Sequence, residues 1–76
     1  MPRIEGKLLI ENIIPELRAK KALTQQELAD ALDVTRATVI ALEKGSYNPS
    51  LELAFRLSRF FKEDIETIFK IKGHSI

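Results

Sequence analysis

Two short helical patterns lie between Thr24 and Gly45, with only a few residues left to turn between them. The first begins with a capping box, because Thr24 and Glu27 are spaced so that each side chain can accept a hydrogen bond from the other's backbone amide. A helix therefore begins at Gln25. Its apolar residues recur at the three- and four-residue spacing that puts them on one helix face: Leu28, Ala29 and Leu32.

The second pattern follows a turn in which Asp33 ends the first helix. Asp is among the few residues that tolerate the left-handed conformation in which many helices end, and Val34 can then fill the core from the turn. Thr35 is a typical cap for the next helix, and Gly45 ends that helix. Its buried stripe is predicted at Val39 and Leu42. This spacing is typical of a helix-turn-helix, whose second helix can enter the major groove of DNA.

Length and composition favour a small binding module. Seventy-six residues make one domain near the lower size limit for an independent core. The chain contains no cysteine, no secretory signal pattern and no long apolar run, so we expect a soluble cytoplasmic protein. The net charge is only +1, which implies that any basic footprint for nucleic acid is local and that dimerisation adds to the affinity.

Catalysis and cofactor binding have little support in the sequence. The single histidine, His74, has no cysteine or second histidine with which to complete a metal site. The carboxylates at 63, 64 and 66 are better explained by capping and by the dipole of a helix start than by acid-base chemistry. We predict no enzyme activity, metal, cofactor or small-molecule substrate.

Three further helices are predicted around the central pair. Helix 1 is placed at about Pro15 to Ala22. A fifth helix is expected after Asp64, with Ile65, Ile68 and Phe69 as its apolar residues. Ser50 can cap helix 4, which runs to about Phe61. Its predicted inward residues are Leu51, Ala54, Leu57 and Phe61, with Leu53 as an additional candidate.

The two ends of the chain are ambiguous. Residues 68–72 alternate apolar and basic side chains, which is a weak strand signal. The apolar stretch before Pro15 requires cover, either as a helical segment kinked at Pro15 or as a strand pairing with the tail of the same or a second subunit. We divide the chain into an N-terminal extension at 1–13, which we favour as a dimer contact, a helix-turn-helix domain at 14–69 and a tail at 70–76.

The stretch from Ile14 to Phe69 resembles the phage-repressor type of helix-turn-helix, the lambda repressor and Cro-like proteins often called the XRE family. The resemblance implies an all-α, compact bundle of about five short helices, here with short strands at the termini. The matching segments follow the family pattern in order and spacing: Leu17-Arg18, Leu23-Thr24-Gln25-Gln26-Glu27-Leu28-Ala29, Val34-Thr35-Arg36-Ala37-Thr38-Val39, Leu42-Glu43-Lys44-Gly45, Tyr47-Asn48-Pro49-Ser50-Leu51 and Ile68-Phe69.

The resemblance also implies roles for individual residues. Helix 3 becomes the recognition helix, with Arg36 placed to pair with a guanine edge or, alternatively, with a phosphate. Ala37, Ile40 and Ala41 can meet thymine methyl groups. Side chains suited to phosphate contacts that set the register surround them: Gln25, Thr35, Thr38, Lys44, Ser46, Tyr47 and Asn48.

Several of these positions have structural alternatives. Thr35 can act as a cap alone, Tyr47 can cover the core, and Asn48 can merely shape the turn. Arg18 and Glu43 match a partly buried ion pair of the family, and we assign them a structural role. Two sites depart from the family pattern: Asp33 and the pair Lys62-Glu63. In the family, glycine is usual in place of Asp33 and in place of Lys62.

The predicted function is a sequence-specific DNA-binding transcriptional regulator, with repression favoured over activation. We expect it to bind double-stranded DNA as a homodimer. The alternative is an antitoxin-like protein-interaction module, in which the apolar ends hold a partner protein; the near-neutral charge and the small residues Ala37 and Ala41 motivate it.

Overall fold

A computed structural model describes the backbone of residues 7–75 and the side chains of residues 8–73. The first six residues of the predicted N-terminal extension, and the side chain of His74, lie outside the described part. Within it the element order is β1 (Lys7–Asn12), α1 (Ile14–Lys20), α2 (Gln25–Leu32), α3 (Arg36–Lys44), α4 (Leu51–Phe61), α5 (Ile65–Ile68) and β2 (Phe69–Ser75).

Every helix contributes to a single apolar core. The predicted inward faces of α2 and α3 are confirmed, because Leu28, Ala29, Val39 and Leu42 are all buried. Val34 packs against this core from the turn. Leu32 of α2 also belongs to this core, and the rest comes from the flanking helices: Ile14, Leu17, Leu53, Leu57, Phe61 and Ile68. No buried polar or charged residue occurs among the described residues, so the interior is sealed by aliphatic and aromatic packing.

Helix boundaries follow the predicted caps. The capping box of Thr24 and Glu27 is complete, and the side chains of Thr35 and Ser50 accept hydrogen bonds from the amides at the third helical positions of α3 and α4. Asp33 ends α2 in the left-handed conformation (φ 59°), as expected from its tolerance of that region. Local chemistry therefore sets where the central helices begin and end.

Three details of the sequence prediction are wrong. Helix α1 begins at Ile14 and ends at Lys20, so it starts earlier and stops short of Ala22. Phe69 is the first residue of β2 and does not belong to α5.

The third correction concerns α4. Leu51 is 71% exposed whereas Leu53 is buried. At 3.6 residues per turn, Leu51 lies roughly a quarter-turn or more from the centre of the stripe formed by Leu53, Leu57 and Phe61, and so it misses the core.

The two ends of the chain form one antiparallel ribbon. Strand β1 pairs with β2 of the same chain, in a register that joins Asn12 to Phe69 and Leu8 to His74. Of the alternatives left open by the sequence, the intrachain strand is therefore the one observed. The fold is mainly helical, and the predicted bundle of about five short helices with short terminal strands is found in the described residues as five helices and a two-stranded sheet.

The ribbon attaches to the helices near the end of α3. The carboxamide of Asn12 donates to the carbonyl of Leu42 over 2.9 Å and accepts from the amide of Ile14 over 3.0 Å. No helix of the described part is long and apolar enough to cross a membrane.

Candidate nucleic-acid interface

The outer face of α3 carries the residues predicted to read bases. Arg36 and Ala37 are exposed in its first turn, and Ile40 and Ala41 are half-buried one turn later. They lie at three- and four-residue spacing, on the side opposite the buried stripe of Val39 and Leu42. The helix thus presents one cation and three small or aliphatic side chains to solvent.

At the start of α3, two threonines are linked to each other. The Thr35 hydroxyl accepts from the Thr38 amide over 3.2 Å, and the two hydroxyl oxygens lie 3.0 Å apart. Thr35 therefore caps α3, which is the structural role that the sequence left open for it. A hydroxyl has one proton and two lone pairs, so this pair keeps capacity for a further contact.

At the other end of α3, Glu43 is the centre of a hydrogen-bonded network. Arg18 donates to it through two nitrogens, Nε over 2.8 Å and Nη2 over 3.2 Å, and Gln25 donates through Nε2 over 3.0 Å. Arg18 also donates to the carbonyl of Leu23 over 2.9 Å. The network joins α1, the first residue of α2 and the end of α3, so Gln25 is held in place before any ligand arrives.

The network shifts the pKa of both ions. Burial alone raises the pKa of Glu43, but the hydrogen bonds from Arg18 and Gln25, together with the positive charge of Arg18, lower it below its ordinary value. The hydrogen bond with Glu43 raises the pKa of Arg18. Both groups are therefore charged at neutral pH, and the pair is a fixed structural element.

The turn after α3 carries the remaining predicted contacts. Ser46 donates from its hydroxyl to the Ala41 carbonyl over 3.3 Å, which closes the end of the helix. Tyr47 is 41% exposed, so it is not a buried lid. Asn48 and Lys44 are exposed and line one groove, whereas Tyr47 lines a second groove with Thr38.

Two supporting residues were missed at the sequence level. Asn12 fixes the ribbon to the last turn of α3, as described above. Its position shortly before a helix start is a capping signal, which could have identified its contact with the Ile14 amide but not its contact with the Leu42 carbonyl. Arg56 donates to the Leu32 carbonyl over 2.9 Å and pairs with Glu52 over 3.1 Å. No local pattern could reveal the Leu32 contact, because it joins α4 to the end of α2.

No cluster of residues suited to hold a metal ion occurs in the part of the chain that the structure describes. The grooves are shallow and lie at the surface around α3, α4 and the ribbon. The chemistry available here is therefore that of a convex helix face bordered by cations, amides and hydroxyls, which suits a groove of a nucleic acid.

Comparison with known proteins agrees with this geometry. A family model described as helix-turn-helix matches residues 14–68. An uncharacterized HTH-type transcriptional regulator of Archaeoglobus fulgidus is 54% identical over 56 residues, which cover 74% of this chain and 79% of the relative. Another, of Methanocaldococcus jannaschii, is 50% identical over 60 residues, covering 79% of this chain and 91% of the relative.

A more distant relative has a more specific name. The cryptic phage CTXphi transcriptional repressor RstR of Vibrio cholerae is 38% identical over 48 residues, which cover 63% of this chain and 43% of RstR. The region matched by the family model begins at Ile14 and ends at Ile68, so it contains all five helices of the described residues. The chain therefore belongs to the XRE-type helix-turn-helix family of DNA-binding transcriptional regulators.

Proposed function

We propose that this protein is a sequence-specific transcriptional repressor that places α3 in the major groove of double-stranded DNA. The observation that carries the proposal is the exposed face of α3, which is held across α2 by a sealed core. A helix supported in this way can project into the major groove, where each base pair presents a distinct set of donors and acceptors. The role is one of binding, without catalysis or a cofactor.

Base reading is assigned to four residues of this face. Arg36, exposed in the first turn, can donate two parallel hydrogen bonds to a guanine edge. Ala37 and Ala41 leave room for close approach of the helix, and Ile40 offers methyl groups to thymine. This set favours a site with one strongly recognised guanine and neighbouring thymines.

Backbone contacts are assigned to residues that border α3. Gln25 keeps one amide proton after donating to Glu43, and it stands at the start of α2, where free backbone amides favour a phosphate. Because the Glu43 network already orients this side chain, little entropy is lost when it meets the phosphate. The other assigned contacts are Thr35, Thr38, Lys44, Ser46, Tyr47 and Asn48.

We infer that the active species is a homodimer acting in the cytoplasm. A net charge of +1 gives a monomer little general attraction to DNA, and two recognition helices on half-sites ~34 Å apart multiply the affinity. The ribbon offers exposed apolar side chains, Leu9 and Ile71, as the dimer contact. Repression is favoured because RstR, which shares this domain, is named a transcriptional repressor.

The test begins with selection of bound sequences from a random DNA library, followed by titration of the selected site. Arg36→Ala should lose about 1–3 kcal/mol of binding free energy, concentrated at one base position. Arg59→Ala is the matched control, because Arg59 is an exposed arginine on α4, outside the proposed interface. Undiminished affinity and selectivity of Arg36→Ala would refute base reading by α3.

An antitoxin-like role remains the second candidate, and one observation favours it. Leu51 and Phe55 lie one turn apart on α4 and are 71% and 53% exposed, which gives this helix an apolar outer face. Size-exclusion chromatography with light scattering, combined with a pull-down from the native lysate, separates the two functions. A stable complex with one defined protein that retains no DNA would favour the second.

A further inference from the structure

We propose that Lys72, on the C-terminal strand, is a further DNA-backbone contact that acts together with Lys44 on a phosphate beyond the end of α3. The inference rests on the proposed DNA-binding function and extends the interface from the helix-turn-helix to the β-ribbon. The ribbon then has two roles: it pairs the two ends of the chain, and it forms part of the DNA-binding surface.

The first observation is a groove between the ribbon and the end of α3. Its volume is about 330 Å³, and Lys72 and Lys44 both line it, together with Asn48 and Gly45. Gly45 brings the walls close, because a Cβ at this position would lie 3.6 Å from the carbonyl oxygen of Ile10. The groove therefore continues directly from residues already assigned to the DNA backbone.

The second observation is the β-bulge that places Lys72 at this groove. Ile10 pairs with Ile71 and Leu9 pairs with Gly73, so Lys72 is the extra residue of β2. In a regular strand, residues two apart share a face, and Lys72 would therefore point to the same side as Lys70. A bulge breaks the alternation and redirects a side chain.

The two lysines indeed line different surfaces. Lys70 lines a groove together with the acidic residues Asp64 and Glu66, whereas Lys72 lines the groove of Lys44. The strand thus separates two cations that its sequence spacing would put side by side. Only Lys72 is joined to the candidate interface.

The charges of the groove favour an anion. Two carboxylates line the groove: Glu43, which is engaged by Arg18 and Gln25, and Glu11, which is exposed to water that screens its charge. The C-terminal end of α3 also carries the partial negative charge of the helix dipole, which repels a phosphate. A backbone phosphate passing this end needs cations there, and Lys44 with Lys72 supplies two.

The test compares Lys72→Ala with Lys70→Ala, which removes the same charge from the same strand at a position that lines the groove of Asp64 and Glu66. Both lysines are exposed, so thermal unfolding should match that of the unchanged protein. Affinity for the selected DNA site is measured over a series of salt concentrations. Phosphate ethylation interference then shows which backbone positions each variant uses.

We expect Lys72→Ala to bind roughly 3- to 10-fold more weakly at low salt, with the slope of log affinity against log salt reduced by about 0.9 per protomer. It should keep the same base preference and lose interference at one outer phosphate. Lys70→Ala should retain the slope and the interference pattern of the unchanged protein.

The outcomes separate this inference from the proposed function. If Lys72→Ala matches Lys70→Ala in slope and interference while Arg36→Ala weakens binding, the ribbon contact is refuted and DNA reading by α3 stands. If Arg36→Ala binds undiminished and selection yields no preferred sequence, the proposed function fails and the ribbon contact fails with it.

Discussion

The helical body and the β-ribbon of this protein are held together in different ways. In the body, Leu28 and Val39 are fully buried and every helix contributes to one core. In the ribbon, Leu9 is 41% and Ile71 68% exposed, and pairing between the strands with the Asn12 anchor provides most of the order. The stability of the molecule therefore resides in the body, which leaves ribbon side chains available for partners.

The largest expected effect tests this division of stability. Leu28→Ala should lower the free energy of unfolding by about 3–4 kcal/mol, because it leaves a cavity in a fully packed site. Leu9→Ala, the same change on the ribbon, should cost less than about 1 kcal/mol since Leu9 is already partly in water. Urea denaturation of both variants measures the difference; equal losses would contradict the division.

The next effect concerns the ion pair that joins three helices of the body. Arg18→Met should cost about 3 kcal/mol at neutral pH, because it leaves the carboxylate of Glu43, whose side chain is only 8% exposed, without its main partner. Arg59→Met, on an exposed arginine, is the control. Chemical denaturation gives both values, and equal stability of the two variants would show that the pair is dispensable.

The ion pair also predicts a pH dependence. The folded-state pKa of Glu43 is lowered, so its contribution is fully present above the unfolded-state pKa of about 4.3 and is lost as the pH falls through the folded-state value. The stability difference between Arg18→Met and the unchanged protein should therefore shrink on acidification. A difference that stays constant across this range would contradict the assignment of the shift to Arg18.

A smaller effect tests the anchor between ribbon and body. Asn12→Ala should cost about 1–2 kcal/mol, because the Leu42 carbonyl and the Ile14 amide both lose a partner. Amide hydrogen exchange should accelerate in β1 while α2 and α3 keep their protection. Asn48→Ala, at an exposed asparagine, should leave exchange in β1 unchanged.

The smallest effect should be a gain in stability. Lys62 ends α4 with a φ of 56°, a left-handed conformation that strains a residue with a Cβ. Lys62→Gly should stabilise the fold by about 0.5–1 kcal/mol, the relieved strain outweighing the added freedom of the unfolded chain. Arg59→Gly, inside the same helix, should instead destabilise it by about 1 kcal/mol. Thermal unfolding distinguishes the two signs.

The central helices were predictable to the residue because their signals are local. Thr24 with Glu27, Asp33, Thr35 and Gly45 each act on hydrogen bonds within a few residues, and the structure places the boundaries of α2 and α3 there. Leu51 was misplaced because an apolar residue in the first turn of a helix can point to either side. Only the packing of α4 on the other helices selected Leu53.

The candidate site divides in the same way. The outer face of α3 follows from helical periodicity once Val39 and Leu42 are known to be inside. Hydrogen bonding of Gln25 to Glu43 and the shared groove of Lys72 and Lys44 were not predictable, because each joins residues far apart in the sequence. Base reading and phosphate contacts remain predictions for the DNA experiments.

The sequence alone determined the helix-turn-helix, since caps, turn residues and apolar spacing are properties of neighbouring residues. The tertiary structure decided that the chain ends pair with each other within one subunit and that a bulge directs one lysine towards α3. Strand pairing and bulge position depend on contacts between residues more than fifty positions apart, where backbone hydrogen bonds leave no periodic trace in the sequence.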